Sequence, residues 1–488
     1  MLLWHVIYNL TIGIMKLDKL NINEAIEKAE ALLKQEKKIS LALKTTLSLL
    51  IAIVKIFLQK MNVNSNNSSQ PPASDKNRNR GSKNQKSKRK KGGQNGHEGA
   101  RLETAKNPDK VEWIKIDRRS LPRGHYKDVG FESRQVVDIK ISRIVTEYRA
   151  EVLEDSHGVK YVARFPEFVK TDIQYGASVK AHSVYMSQEQ LIPYARIQAY
   201  FDEKAQIPLS AGSLFNFNQE AYALLEGFDR IAKVKLLEEK VLHADETGIS
   251  VDKKTIWLHT ATSKLWTYFY PHEKRGREAM DAIGILPKFE GTLCHDHWKP
   301  YLTYGCRHGL CNAHHVRELR FAEEEDKQHW AGKMKELLLE INDKVNKSKS
   351  NKLSQKLCKI YRKKYRKIIS LGEKECPLPN KLKGPAKRGR IKKSKSRNLL
   401  ERLSNFEDSV LLFMEDSLVP FTNNISENDL RMTKVQQKIS GCFRSMEGAL
   451  IFCRVRSYLL TCQKHNVKMT DALNLLFLGK LPDFLISQ

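Results

Sequence analysis

"KVLHADETGIS" (Lys240–Ser250) runs from apolar residues into a carboxylate pair, Asp245 and Glu246, and then meets a glycine. A strand inside a sheet avoids acids, because a carboxylate taken out of water without a partner is costly. Alone, the pair reads equally as a polar strand end reaching solvent, with a turn at Gly248. Its surroundings sharpen the reading. "TIWLHTATS" and "LWTYFY" follow as strands, "REAMDAIGIL" as a helix, and "GTLCHDHW" (291–298) as a further strand ending in an acid. Strand–strand–strand–helix–strand is a mixed α/β order, so a mixed sheet flanked by helices is expected.

The chain is 488 residues long, enough for two to four domains. Lys plus Arg number 85 against 56 Asp plus Glu, a net charge of +29 that points to a polyanion, with nucleic acid foremost. "KNRNRGSKNQKSKRKK" (76–91) and "KLKGPAKRGRIKKSKSR" (381–397) each hold nine basic residues and no acid, so +18 of the +29 sits in two runs. Such runs are solvated tails or polyanion-binding arms. All eight cysteines lie at 294 or beyond, in no regular framework, which fits a reducing cytosol better than secretion. "MLLWHVIYNLTIGIM" and the run from Leu47 to Phe57, broken by Lys55, fall short of the ~20 residues of a membrane helix. No membrane partner is expected.

The organisation follows from pattern. Leu43, Leu47, Leu50, Val54, Phe57 and Met61 form a helical stripe, giving an N-terminal helical or coiled-coil segment over 1–61. Residues 62–100 read as a basic disordered linker. "RQVVDIKISRIVTEYRAEVL" alternates and is rich in Val, Ile and Tyr, predicting a small β-rich module over 101–175. Helical periodicity over 176–235, with Ser210 or Ser213 as N-cap, predicts a helical DNA-binding region. The α/β part follows in two pieces, 236–322 and 401–470, around a helical and basic insertion at 323–400, with a tail at 471–488.

Three acids are candidates for chemistry. Asp296 comes 51 residues after Asp245, and Glu427, in "TNNISENDLRMTK", comes 131 after that. Phosphodiester cleavage uses paired hard cations, and magnesium or manganese prefers carboxylate oxygen and water. Two strands and one helix could bring such a trio together. Spacing leaves bland readings open: strand-end acids for the first two, and for Glu427 a capping box with Asn424 or an ion pair with Arg431. Cys294, His295, His297, Cys306, His308, Cys311, His314 and His315 raise a zinc reading, but no C-x-x-C pair is present and zinc is not expected.

Several motifs then occur in one order: "NSNNSSQPPASD", "KGGQNGHEGAR", "DVGFESRQVVDI", "IPLSAGSLFNF", "HADETG", "HDHWKPY", "CNAHHVREL", and "PFTNNISENDLRMTKVQQKISGCFRS" followed by "EGA". From about residue 62 to 465 the chain resembles transposases of the insertion sequence 66 family, DDE (Asp-Asp-Glu) enzymes with a ribonuclease-H-like catalytic domain. The resemblance implies metal-dependent cleavage and strand transfer of DNA, with Asp245, Asp296 and Glu427 as the catalytic, metal-binding acids for two Mg²⁺ or Mn²⁺ ions. It implies double-stranded DNA as partner (element ends and target), a homo-oligomer, small accessory proteins of the same element, and a bacterial cytoplasm with the nucleoid as the bound location. Asn423 and Asn424 are placed to cap and orient the helix of Glu427. Arg431, Lys434, Lys438, Arg444, His314 and Arg317 are the implied DNA contacts. Many members carry a cysteine-rich zinc module before the catalytic domain; with no cysteine before Cys294, the segment 111–168 is expected to fill that position without metal. Two other classes stay open: an inactive or domesticated DNA-binding protein, and a metal-dependent nuclease that does not join strands.

Overall fold

The computed structural model describes residues 22–35, 40–62, 102–378 and 393–486. The linker from residue 63 on, the first basic run, and the second run up to residue 392 lie outside the described residues. The chain divides into two compact units, one of residues 1–79, 225–469 and 481–488, the other of residues 80–224 and 470–480.

The first two helices are α1 (Ile22–Gln35) and α2 (Leu41–Asn62), linked by an exposed Lys55–Glu30 ion pair at 2.7 Å. The apolar stripe does form a helix, but Leu43, Leu50, Val54 and Phe57 stay 43–65% exposed.

In the second unit, the expected β-rich module shrinks to one antiparallel ladder, β1 (Val152–Glu154) with β2 (Lys160–Val162). Val136, Ile139, Ile144 and Val145, which carry the alternation, are 81–94% exposed on unpaired chain. Alternation makes one apolar face; a sheet also needs several strands or a helix to cover it. Three helices follow: α3 (Ala177–Val184), α4 (Tyr194–Ala205) and α5 (Ala211–Leu224). Ile197, Phe201, Leu214 and Phe217 bury between them. Ser210 caps α5, its Oγ accepting the Ser213 N–H at 2.9 Å, which decides between the two serines.

The first unit holds the sheet. Helix α6 (Glu226–Glu238) belongs here and not with the helices before it: Phe228 packs edge-on to Tyr458 and Asp229 pairs with Arg454 at 2.6 Å. The strands are β3 (Val241–Val251), β4 (Lys254–Thr262), β5 (Thr267–His272), β6 (Thr292–His295) and β7 (Arg307–Leu310), in the order β5-β4-β3-β6-β7. β3, β4 and β5 pair antiparallel; β3, β6 and β7 pair parallel, with α7 (Arg277–Ile283) in the crossover from β5 to β6. The mixed order read from the sequence is therefore present. β7 was not foreseen, because four residues carry too little pattern.

Gly248 is not a turn. β3 continues through it, opposite Trp257, and the chain reverses at Asp252 and Lys253, whose φ values of 46° and 62° suit a two-residue hairpin. Leu242, Ala244, Leu258, Leu293 and Leu310 are at most 3% exposed, forming the inner layer.

After β7 come α8 (Asn312–Glu324), then α9 (His329–Lys347), α10 (Gln355–Glu375), α11 (Lys395–Asn405) and α12 (Glu407–Leu411). The insertion is mostly helical over its described residues. It also has a core: Trp330, Leu338, Ile341, Tyr365, Leu400 and Leu403 are at most 1% exposed, in one cluster with Cys294 and Leu310 of the sheet. Finally α13 (Asn424–Ser440) and α14 (Met446–Lys464) pack on the antiparallel half. Two α14 hydroxyls, Ser457 and Thr461, accept the outer N–H groups of Phe269 and Thr267 on edge strand β5, at 2.8 and 3.1 Å, closing an edge that would otherwise be open.

Candidate active site

The parallel ladder keeps one offset: Val241 faces Thr292, Leu242 faces Leu293 and His243 faces Cys294. Carried on by two residues, the same offset puts Asp245 level with Asp296, at the point where β6 has just ended. Asp296 follows its strand as the sequence implied. Asp245 does not end its own; it lies mid-strand opposite Thr260, because β4 pairs along the whole of β3. An acid is tolerable there since β6 stops short and leaves that flank open.

Successive strand residues point to opposite faces, so Asp245 and Glu246 part company. Glu246, its side chain 2% exposed, accepts from Arg275 Nε and Nη2 at 3.0 and 2.8 Å and from the Tyr301 hydroxyl at 2.5 Å. The Arg275 guanidinium lies between the Trp257 and Trp298 rings, 4.6 and 4.4 Å from their centres. Among the described residues, Asp245 accepts only the Glu246 N–H, at 2.8 Å to Oδ1. Burial, reinforced by the charges of Glu246, Asp296 and Glu427, pushes its carboxyl well above the usual range.

Glu427 stands in the first turn of α13. The preceding Asn423 does not cap with its side chain, as had been expected. It reaches the sheet instead: Oδ1 accepts from His243 Nδ1 at 2.8 Å and Nδ2 donates to the Ala244 carbonyl at 2.9 Å, which ties the helix start to the residues before Asp245. Asn424 is exposed. Behind Glu427, Asp429 accepts from Lys464 Nζ at 2.9 Å, and Lys464 also donates to Thr262 and Thr267, so the helix is pinned at a second point. Glu427 Oε1 is buried without a hydrogen-bond partner. Three acids within electrostatic reach, one with an orphaned oxygen, make a donor set that suits hard divalent cations.

A sequence profile described as the transposase IS66 family matches residues 172–450, more than half of the chain. The chain belongs to the transposase IS66 family. A second profile, a family of unknown function, matches residues 16–103, and no curated protein matches the chain. No described helix is long and apolar enough to cross a membrane.

Against the transposase family assignment, the six basic or imidazole positions separate. Arg431, Lys434 and Lys438 follow Glu427 at four, seven and eleven residues, hence on one face of α13. Arg431 and Lys438 are exposed, as is Arg444 in the loop after α13. Lys434 is exposed too, and its Nζ donates to the Gly248 carbonyl at 2.8 Å. His314, on α8, sets Nδ1 4.0 Å from Glu427 Oε1, and that nitrogen too is buried and unpartnered. Arg317 is half-buried one turn further along, close enough for its charge to oppose protonation of His314.

Of the eight Cys and His residues between 294 and 315, most are consumed in packing. His295 Nε2 meets His308 Nδ1 at 3.1 Å, His315 Nδ1 meets Asn312 Oδ1 at 3.0 Å, and Cys294 is in the core cluster. Two further residues lie near the acids: His297, weighed in the sequence only for zinc, and Arg402, not singled out at all. His297 packs edge-on against Phe406, its ring centre 4.6 Å away, with Nε2 buried and unpartnered; burial and then the Arg402 charge bring its pKa down to about 4. Arg402, from α11, pairs with Glu318, feels the charge of Asp296, and leaves Nε buried without a partner. "HDHW" held the signal for His297. No sequence signal existed for Arg402, which lies 106 residues beyond Asp296, just past the end of the insertion.

Proposed function

We propose that the sheet unit is a ribonuclease-H-like catalytic domain that cleaves DNA at the terminal inverted repeats of a mobile element and joins the freed 3′-OH to target DNA. Asp245, Asp296 and Glu427 would hold two Mg²⁺ or Mn²⁺ ions. Divalent cations bound there supply the charge that activates an attacking oxygen and stabilises a leaving one. The single observation carrying the reading is the constant β3–β6 offset, which extends to Asp245 and Asp296 beside a Glu427 oxygen left without a partner. The order β5-β4-β3-β6-β7, antiparallel then parallel, supports the fold assignment.

The chain's own residues do the positioning. Asn423 fixes where Glu427 meets β3, and the Glu246–Arg275 pair, braced by Trp298, steadies the loop that carries Asp296. Arg402 and His297 offer an unpartnered N–H or ring nitrogen to a phosphate oxygen beside Asp296. Arg431, Lys438 and Arg444 supply exposed positive charge for the backbone on either side, a salt-dependent contribution that does not read sequence. Target and terminal DNA are the partners; a homo-oligomer and accessory proteins of the same element belong to the same proposal.

The experiment is a strand-cleavage and strand-transfer assay on DNA carrying the element's ends, with the wild type, Asp245→Asn, Asp296→Asn and Glu427→Gln. Each variant should bind end DNA and fail to cut it. Wild-type cutting by any one of them removes that residue from the site. Hydrolysis with no joined product would make the protein a nuclease, and binding with no cutting by the wild type would make it a regulator.

A further inference from the structure

Cys311, His314 and Glu427 each offer one ligand atom, and the three atoms lie within 4.8 Å of one another. Among the described residues, no other such group combines a thiol, an imidazole and a carboxylate. We propose that they form a site for a thiophilic divalent cation of the zinc class, distinct in its ligands from the all-oxygen site of Asp245 and Asp296 and sharing Glu427 with it. The proposal rests on the preceding reading only in its consequence: a cation held here takes Glu427 from the other two acids and arrests cleavage.

The chemistry of the donors selects the metal. Thiolate and imidazole suit zinc, whereas magnesium and manganese take carboxylate, carbonyl and water. Ligand atoms around a tetrahedral zinc sit roughly 3.3–3.8 Å apart, as bonds of about 2.0–2.3 Å require. The His314 Nδ1 to Glu427 Oε1 gap is 4.0 Å, too long for a hydrogen bond and a small contraction from that span. Both of these atoms are buried with no partner, so each forgoes a hydrogen bond that water would have given it. A bridging cation satisfies both at once.

The backbone already prepares the sulfur. Cys311 is 3% exposed at the start of α8, and its Sγ accepts the Asn423 N–H at 3.2 Å. A backbone N–H aimed at the sulfur favours the thiolate that zinc binds. In the absence of a cation, burial holds the thiol protonated. Binding forms a metal–sulfur bond and releases the thiol proton to solvent, with no change of oxidation state, so affinity should rise with pH. Three protein ligands leave a fourth position for water. His314 and Glu427 side chains are 23% and 31% exposed, which leaves an entry route.

Sequence spacing missed this set because Glu427 lies 113 residues after His314. The zinc candidates were sought within 294–315, where the third ligand is not found.

The test is titration of the metal-free, full-length protein with Co²⁺ as a spectroscopic probe, followed by competition with Zn²⁺. Wild type should bind one Co²⁺ at this site with a sulfur-to-cobalt charge-transfer band, and Zn²⁺ should displace it. Cys311→Ser should lose the band and bind Zn²⁺ at least roughly tenfold more weakly, with His314→Ala similar. Circular dichroism of each variant shows whether it is folded. The double variant Asp245→Asn/Asp296→Asn should keep the band, which separates this site from the proposed catalytic one even where no cleavage activity is found. Should that assay show activity in Mg²⁺, Zn²⁺ should inhibit it in wild type and less in Cys311→Ser. Absence of the band in wild type overturns the proposal, as does a folded Cys311→Ser that binds Zn²⁺ as tightly as wild type.

Discussion

The two faces of β3 present neighbouring acids in opposite circumstances. On one face Glu246 is saturated, with two bonds from Arg275 and one from Tyr301, and two tryptophan rings enclose the guanidinium. On the other, Asp245 faces Asp296 and Glu427 in a neighbourhood where Glu427 Oε1, His314 Nδ1, His297 Nε2 and Arg402 Nε are all buried without partners. Adjacent carboxylates of the same strand thus do different jobs. A saturated acid holds structure together. On the proposed reading, cations relieve the crowded, under-partnered one.

The largest expected effect breaks the comparison at its active side. Asp245→Asn should lower the rate of strand cleavage at least roughly a thousandfold, the scale of removing a group that stabilises transition-state charge. Glu246→Gln, which keeps hydrogen-bonding atoms in place, should cost no more than roughly tenfold. Equal losses in the two variants, measured by single-turnover cleavage, would end the distinction between the faces.

Next comes the saturated side. Arg275→Ala leaves the Glu246 carboxylate buried and unneutralised, and should lower stability by about 2–3 kcal/mol, read from denaturant midpoints. The figure sits below that for a fully buried pair because Arg275 is 43% exposed. A shift under ~0.5 kcal/mol would show the pair to be a surface bridge of little consequence.

A pH profile sharpens the same side. His259 faces Glu246 across the hairpin, its Nε2 at the Lys274 carbonyl, and burial brings its pKa from 6.5 down to about 4. Its folded value is depressed, so its stabilising contribution is complete above pH 6.5 and is lost as pH falls towards 4. Wild type should lose on the order of 2 kcal/mol over that window through this group, and His259→Gln should show a shallower decline in thermal melts.

The smallest effect returns to Asp245. Its raised carboxyl favours the protonated form, so the metal-free protein loses stability as pH climbs from the ordinary aspartate range through the raised value. At neutral pH with chelator, Asp245→Asn should therefore melt higher, by roughly 2–4 °C for each kcal/mol relieved. Added Mg²⁺ should stabilise wild type and leave the variant unmoved. A variant that melts lower in chelator would mean that the carboxylate is not held under strain.

Much of this was legible before any coordinates. The β3–β4–β5–α7–β6 order followed from period-two runs separated by turn residues, and the transposase family from motifs in sequence order. The failures are instructive. Val111 to Phe168 alternates as convincingly as β3 and β4, yet yields one three-residue ladder, because what makes a sheet is the layer that covers it. Asn423 read as a cap and is bonded to β3 instead. A side chain with two plausible partners is assigned by geometry, which spacing along the chain does not contain.

By itself the sequence determined which acids the chain owns, their order, and the local periods that make strands and helices, since these depend on neighbours within a few residues. Tertiary structure alone decided which acid is neutralised, which is left wanting, and that Arg402 and Cys311 arrive beside Glu427 and Asp296. Burial and partnering are set by contacts between elements from 29 residues apart (Glu246 and Arg275) to 182 (Asp245 and Glu427), and the energy of a carboxylate depends on little else.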